Sequence, residues 1–148
     1  MNRRWDRTDA AGPAPDGASS DGADQRGLPR AGFVRSFSFA GQGVWYVVRT
    51  QRNMRVHLAA AACAIALGAA LRIGAADWAC LIIVIGLVLT TEALNTVVEA
   101  LTDLCTPEFH PLAKIAKDAA AGAVLISSLA AVGVGIAIFV PRLINLAG

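Results

Sequence analysis

Residues 90–118, TTEALNTVVEALTDLCTPEFHPLAKIAKD, decide how the rest of the chain is read. On a helix advancing 100° per residue, Glu92, Asn95, Glu99 and Asp103 fall within a sector of roughly 80°. They form one polar stripe on a segment that is otherwise apolar or small. Each carboxylate in a membrane helix costs about 2.5 to 3.5 kcal/mol at the bilayer centre, so the stripe must serve a purpose. A second polar group, Lys114, Lys117 and Asp118, follows a break at Thr106–Pro111, where the next apolar run begins. If that break is a turn, both groups meet at one membrane face, and carboxylates, an amide and cations are gathered there.

The flanking composition supports a membrane setting. The chain has 148 residues, 55% of them hydrophobic and 16% charged, and most of the charge lies outside the apolar segments. That argues for an all-α membrane protein over a soluble core. A net charge of +2 gives no electrostatic reason to expect nucleic acid as a partner. Cys63, Cys80 and Cys105 are odd in number and lie in or beside apolar segments, and they read as small buried hydrophobes.

Residues 1–30 are rich in Gly, Ala, Pro, Asp and Ser without apolar periodicity, and are expected to form a disordered cytoplasmic leader. No apolar core follows Arg3 and Arg4, so this leader is not expected to be a cleaved signal. From Phe33 to about residue 50, apolar positions at three- and four-residue steps predict an amphipathic helix, with Trp45 and Tyr46 suited to the headgroup layer. A short soluble helix packed on protein is the alternative.

Three spans follow, over about 54–75, 78–105 and 111–140. In the first, Ala60, Ala64 and Gly68 make a small-residue row suited to close helix contact, and the span is expected to continue past Arg72. Asp77 reads as the N-cap of the second span, and Pro141 with Arg142 as the close of the third. Arg35, Arg49, Arg52, Arg55, Lys114 and Lys117 fall on one side, with Arg72 and Arg142 on the other, which places the N-terminus and the polar stripe in the cytoplasm.

Carboxylates that hold Mg²⁺, a cation that meets phosphate and a base for an acceptor hydroxyl are the parts phosphoryl transfer needs. No Walker A sequence is present, so a nucleotide site would be of another kind. EALNTVVEALTD, followed by EFH and AKD, resembles the bacterial diacylglycerol kinase and undecaprenol kinase family of small integral-membrane lipid kinases. The resemblance runs from about Phe33 to the end of the third span. It covers Glu92, Asn95, Glu99, Asp103, His110, Lys117 and Asp118.

The resemblance implies that residues 31–148 form a membrane lipid kinase domain in the bacterial inner membrane. It implies a surface helix, three spans per subunit and a homotrimer with shared sites. It further implies ATP as phosphate donor, Mg²⁺ as cofactor, and the hydroxyl of diacylglycerol or undecaprenol as acceptor. By position, Glu92 resembles the general base and Asn95 the residue that aligns the reacting groups. Glu99 resembles the metal-binding carboxylate, which also borders the nucleotide. Lys117 resembles the phosphate-contacting cation, and Asp118, Glu108, Phe109 and His110 resemble parts of the nucleotide pocket, which Asp103 supports. Where the family often has a second metal-binding Glu, this chain has Gln51, an amide that can coordinate without supplying charge. The segment around Arg52–His57 is closer to the undecaprenol kinase branch, but the catalytic residues do not separate the two lipids.

Simpler readings stand beside these. Asn95 can serve only to bond a neighbouring helix, His110 can be a helix cap, Lys114 can anchor a helix end, and Thr91 and Thr102 can bond back to their own helix. An ion- or proton-coupled transporter is the rival function, although the apolar run from Ala79 to Leu89 shows no continuing polar path. A structural membrane subunit is the third, and it leaves the clustered carboxylates unexplained.

Overall fold

The computed structural model describes residues 32–106 and 108–147; the expected disordered leader at 1–30 lies outside these described residues. They form four helices, α1 (Phe33–Thr50), α2 (Arg52–Ala70), α3 (Ala75–Cys105) and α4 (Pro111–Ala147), with no strand among them. Helices α2, α3 and α4 are each long and apolar enough to cross a membrane. The 19 residues of α2 rise about 28 Å, close to the hydrocarbon thickness of a bilayer.

Helix α1 buries Val47 and leaves Phe37, Phe39, Val44, Trp45 and Tyr46 exposed, so most of its apolar surface is uncovered by the chain itself. Arg35 lies over the Phe39 ring and Arg49 over Trp45, at 5.9 and 5.5 Å from the ring centroids. These contacts let a guanidinium sit beside aromatic surface without leaving water. Gln51 alone separates α1 from α2. Its extended backbone ends one helix and starts the next, while its N–H still donates to the Val47 carbonyl.

The first span ends earlier than the sequence predicts. Helix α2 stops at Ala70, and Leu71, Arg72, Ile73 and Gly74 turn the chain. Arg72 takes a left-handed φ of 49°, which costs a non-glycine residue about 1–2 kcal/mol. Its return is that the Ile73 N–H reaches back to the Gly68 carbonyl and the Ile73 side chain enters the core. Gly68 makes this turn possible, because a Cβ there would stand 3.0 Å from Ile73 Cδ1 and 3.2 Å from the Trp78 ring. The N-cap of α3 is then Gly74, not Asp77. Asp77 sits in the first turn and spends its carboxylate on Arg142 of α4 instead.

Helices α3 and α4 make the main interhelical packing. They are joined at three levels: Asp77 to Arg142 at one end, Thr91 Oγ1 to Ser127 Oγ at 2.8 Å midway, and Asp103 to Lys117 at the other end. Ile73, Leu81 and Ile138 form the apolar core near the Asp77 end, flanked by Trp78 and Phe139. Helix α4 does not close at Pro141 but continues to Ala147. Proline removes one backbone donor there. The Arg142 guanidinium, which donates to the Ile138 carbonyl at 2.7 Å while holding Asp77, ties this part of the helix to α3.

Candidate active site

The polar stripe of α3 is turned into the protein at Glu92 and Asn95, is half-buried at Glu99 and emerges to solvent at Asp103. Glu92 is 1% exposed, Asn95 7% and Thr96 5%, because the face they share is the one α3 buries along its length, continuing Leu81 and Val88. The Thr96 hydroxyl donates to the Glu92 backbone carbonyl at 3.1 Å. Asn95 Nδ2 donates to Glu99 Oε1 at 3.0 Å, which fixes the amide and the half-buried carboxylate relative to each other. Two acceptors in the stripe are buried without a hydrogen-bond partner among the described residues, Glu92 Oε2 and Asn95 Oδ1. Leaving a buried acceptor unmade costs about 1–3 kcal/mol, so each of these atoms calls for a partner such as a water, an ion or a substrate group.

A cleft of about 230 Å³ opens where α3 meets α4, lined among others by Asp103, Glu108, Phe109, His110, Lys114 and Lys117. Local bonds shape the link between the helices. Thr106 Oγ1 donates to the Glu108 carbonyl at 2.9 Å, and His110 Nδ1 accepts the Leu112 N–H at 3.2 Å, capping the start of α4. Lys117 is paired with Asp103 across the two helices, and Lys114 with Asp118 along α4. Both pairs are exposed enough that each contributes at most about 1 kcal/mol, so an incoming anion can take either lysine from its carboxylate cheaply.

A second cavity, apolar and about 270 Å³, runs between α2, α3 and α4. Val88 and Leu89 line it one turn before Glu92, His57 lines it from α2, and Ser128 from α4. Ser128 Oγ is buried without a hydrogen-bond partner among the described residues.

The site residues expected from the sequence are therefore placed in two groups and two separate positions. Glu92, Asn95 and Glu99 share the buried stripe. Asp103, Lys117, Glu108, Phe109 and His110 line the cleft. Asp118 is engaged with Lys114, and Gln51 is half-buried at the α1–α2 junction. His57 and the two serines of α4 escaped the sequence reading. Met54, His57 and Ala61 fall at three- and four-residue steps, and Ser127–Ser128 interrupts an otherwise apolar run, which are the signals that would have found them.

The donor set fits a hard divalent cation of the Mg²⁺ type. Glu99 is the half-buried carboxylate that would hold it, and Mg²⁺ is commonly held by one or two carboxylates with the remaining positions filled by phosphate and water. No group of three or more His, Cys, Asp or Glu that could hold a metal by protein alone occurs among the described residues.

Residues 38–139 match the family of prokaryotic diacylglycerol kinases. The chain is 41% identical over 111 residues to undecaprenol kinase of Bacillus subtilis, covering 75% of this chain and 90% of that protein. It is 43% identical over 112 residues to diacylglycerol kinase of Synechocystis sp., covering 75% of this chain and 64% of that longer protein.

Proposed function

The chain belongs to the prokaryotic diacylglycerol kinase family and is a membrane lipid kinase, and on that premise we propose that it transfers the γ-phosphate of Mg-ATP to the hydroxyl of diacylglycerol or undecaprenol. The observation that carries this reading is the buried Glu92 carboxylate, whose Oε2 lacks a partner among the described residues, one helical turn beyond Val88 and Leu89 of the apolar cavity. A lipid hydroxyl arriving from the bilayer with its chain among Val88, Leu89 and neighbouring apolar groups is delivered to a waiting base. The transporter reading finds no support in the family, and the structural reading leaves the orphaned acceptors without purpose.

In this mechanism Glu92 accepts the proton of the lipid hydroxyl as that oxygen attacks the γ-phosphorus. Asn95, anchored to Glu99, orients the attacking group. Glu99 would hold Mg²⁺, with the Gln51 amide as a weaker second ligand, and the ion would supply neutralisation of the phosphate charge. Lys117 leaves Asp103 to meet the phosphates. Glu108, Phe109, His110 and Asp118 border the nucleotide, and Asp103 supports the cleft. The stripe faces the cytoplasm of a bacterial inner-membrane protein, the side on which the basic residues gather. A homotrimer completes each site, since the cleft of one subunit is small beside a nucleotide and much of its apolar surface is uncovered.

The test is phosphate transfer from labelled ATP in lipid–detergent micelles, with diacylglycerol and undecaprenol offered in parallel. Transfer to one lipid supports the reading and identifies the acceptor. No transfer to either, from folded protein that binds ATP, sinks it. Chelation of divalent ions is expected to abolish transfer and added Mg²⁺ to restore it.

A further inference from the structure

The cleft where α3 meets α4 carries two lysines, and the resemblance gives a role to only one of them. Its charged lining side chains are Asp103, Glu108, Lys114 and Lys117, so the two signs balance. A phosphate chain entering a wall of balanced charge gains little unless a cation is left over. Lys117 does not supply that surplus by itself. Its partner Asp103 lines the same cleft, so a Lys117 turned to phosphate leaves a carboxylate facing the same ligand.

Lys114 is placed differently. Its partner is Asp118, four residues along α4, which does not line the cleft. Both side chains are 62% exposed, so the pair is weak and water receives the Asp118 carboxylate when the lysine swings away. Lys114 can therefore offer the cleft a positive charge without uncovering a carboxylate within it. The start of α4 adds to this, since His110 and Ala113 line the same wall and the positive end of a helix favours anions.

The bonds between α3 and α4 fix an order along the cleft. They pair Asp77 with Arg142, Thr91 with Ser127 and Asp103 with Lys117, so the helices run antiparallel. Helix α4 thus approaches the level of Glu92 as it rises towards Ser127. Lys117 is the lysine nearer Glu92 and Glu99, and Lys114 lies three residues, about 4.5 Å, further out along the axis. A phosphate chain lying in the cleft with its transferred end towards Glu92 meets Lys117 first and Lys114 next.

We propose that Lys114 is a second phosphate-binding residue, and that it contacts a phosphate that stays with ADP after transfer. This rests on the kinase reading and on ATP lying in this cleft. A lysine suits the role, because its compact charge meets a phosphate oxygen without needing a fixed two-point geometry. The pair with Asp118 holds the side chain on its face of α4 until the nucleotide arrives. A lysine that only anchored the helix end among headgroups would not distinguish one nucleotide from another.

The test uses the full chain in lipid–detergent micelles with Mg²⁺. It measures inhibition or binding constants for ATP, ADP and adenosine, with kcat and lipid KM, for wild type, Lys114→Gln and Lys114→Arg. For Lys114→Gln the expected result is a loss of affinity of roughly five- to tenfold for ATP and ADP alike, with adenosine binding and lipid KM within about twofold of wild type. Lys114→Arg is expected to recover most of the loss, since it restores the charge. Five results overturn the proposal: both nucleotides bound normally by Lys114→Gln; ATP weakened but not ADP, which puts the lysine on the transferred phosphate; adenosine weakened equally, which means a disturbed pocket; no recovery with arginine; or loss of helix content in Lys114→Gln, which makes the lysine a structural anchor. Wild-type protein that neither binds ATP nor phosphorylates lipid sinks the kinase reading and this proposal together. Wild-type transfer alongside normal nucleotide binding in Lys114→Gln sinks this proposal only.

Discussion

Helices α3 and α4 are joined by a charge pair at each end, and the two pairs differ in everything except their chemistry. Asp77 and Arg142 are about a third exposed, beside the cluster of Ile73, Leu81 and Ile138, with Arg142 also bonded to the Ile138 carbonyl. Asp103 and Lys117 are 70% and 40% exposed and line an open cleft, with Glu92 Oε2 and Asn95 Oδ1 left unpartnered further along α3. The first end uses its charges to close the bundle. The second keeps its charges exchangeable, while the acceptors left free lie nearer the middle of α3, beside the Thr91–Ser127 bond, each at a cost in stability of about 1–3 kcal/mol.

The largest effect that would test this contrast is at Glu92. Glu92→Gln keeps shape and burial, and is expected to lower lipid phosphorylation at least 100-fold, as loss of a general base does, with helix content unchanged by circular dichroism. Near-normal turnover would break the functional reading of the free acceptors.

The two ends can then be exchanged against each other. Lys117→Met is expected to raise the KM for ATP about tenfold or more, the scale of one charge-assisted contact worth about 1.5–3 kcal/mol, while unfolding in mixed detergent shifts by less than about 1 kcal/mol. Arg142→Met is expected to do the reverse: about 1–2 kcal/mol of stability lost, below the 3–5 kcal/mol of a fully buried pair because this one is partly wet, with KM for ATP unchanged. Equal effects of both variants on ATP binding would erase the distinction.

Gly68→Ala sharpens the structural side. The added methyl must displace the end of Ile73 and the Trp78 ring, and a loss of about 1 kcal/mol or more in detergent unfolding is expected, with activity retained. The smallest effect belongs to Thr91→Val. It removes the bond to Ser127 midway between the ends and is expected to cost about 0.6 kcal/mol, the usual scale of an interhelical hydrogen bond in a membrane protein.

Much of this arrangement was legible in the residues. The α3 stripe followed from its periodicity, and the three long apolar helices from their length and composition. The errors fell where a local rule competed with a distant partner. Asp77 has the chemistry of an N-cap, but Arg142 lies within its reach and takes the carboxylate. Pro141 has the chemistry of a helix end, but the same arginine holds the helix beyond it. The apolar run places Arg72 inside a span, but it forms the left-handed turn, because Ile73 and Trp78 have a glycine to close on.

The sequence by itself determined that this chain is a helical membrane protein with acids and cations at one end, and its motif carried the resemblance to lipid kinases. Those properties depend on spacing along one helix and on transfer of side chains between water and lipid, both of which are local. The tertiary structure decided which charges pair, across 14 residues for Asp103 with Lys117 and 65 for Asp77 with Arg142. It also decided which acceptors remain free and that His57 shares a cavity wall with the turn that leads to Glu92. Only packing brings residues from separate helices within hydrogen-bonding range, and no periodicity in the chain encodes that distance.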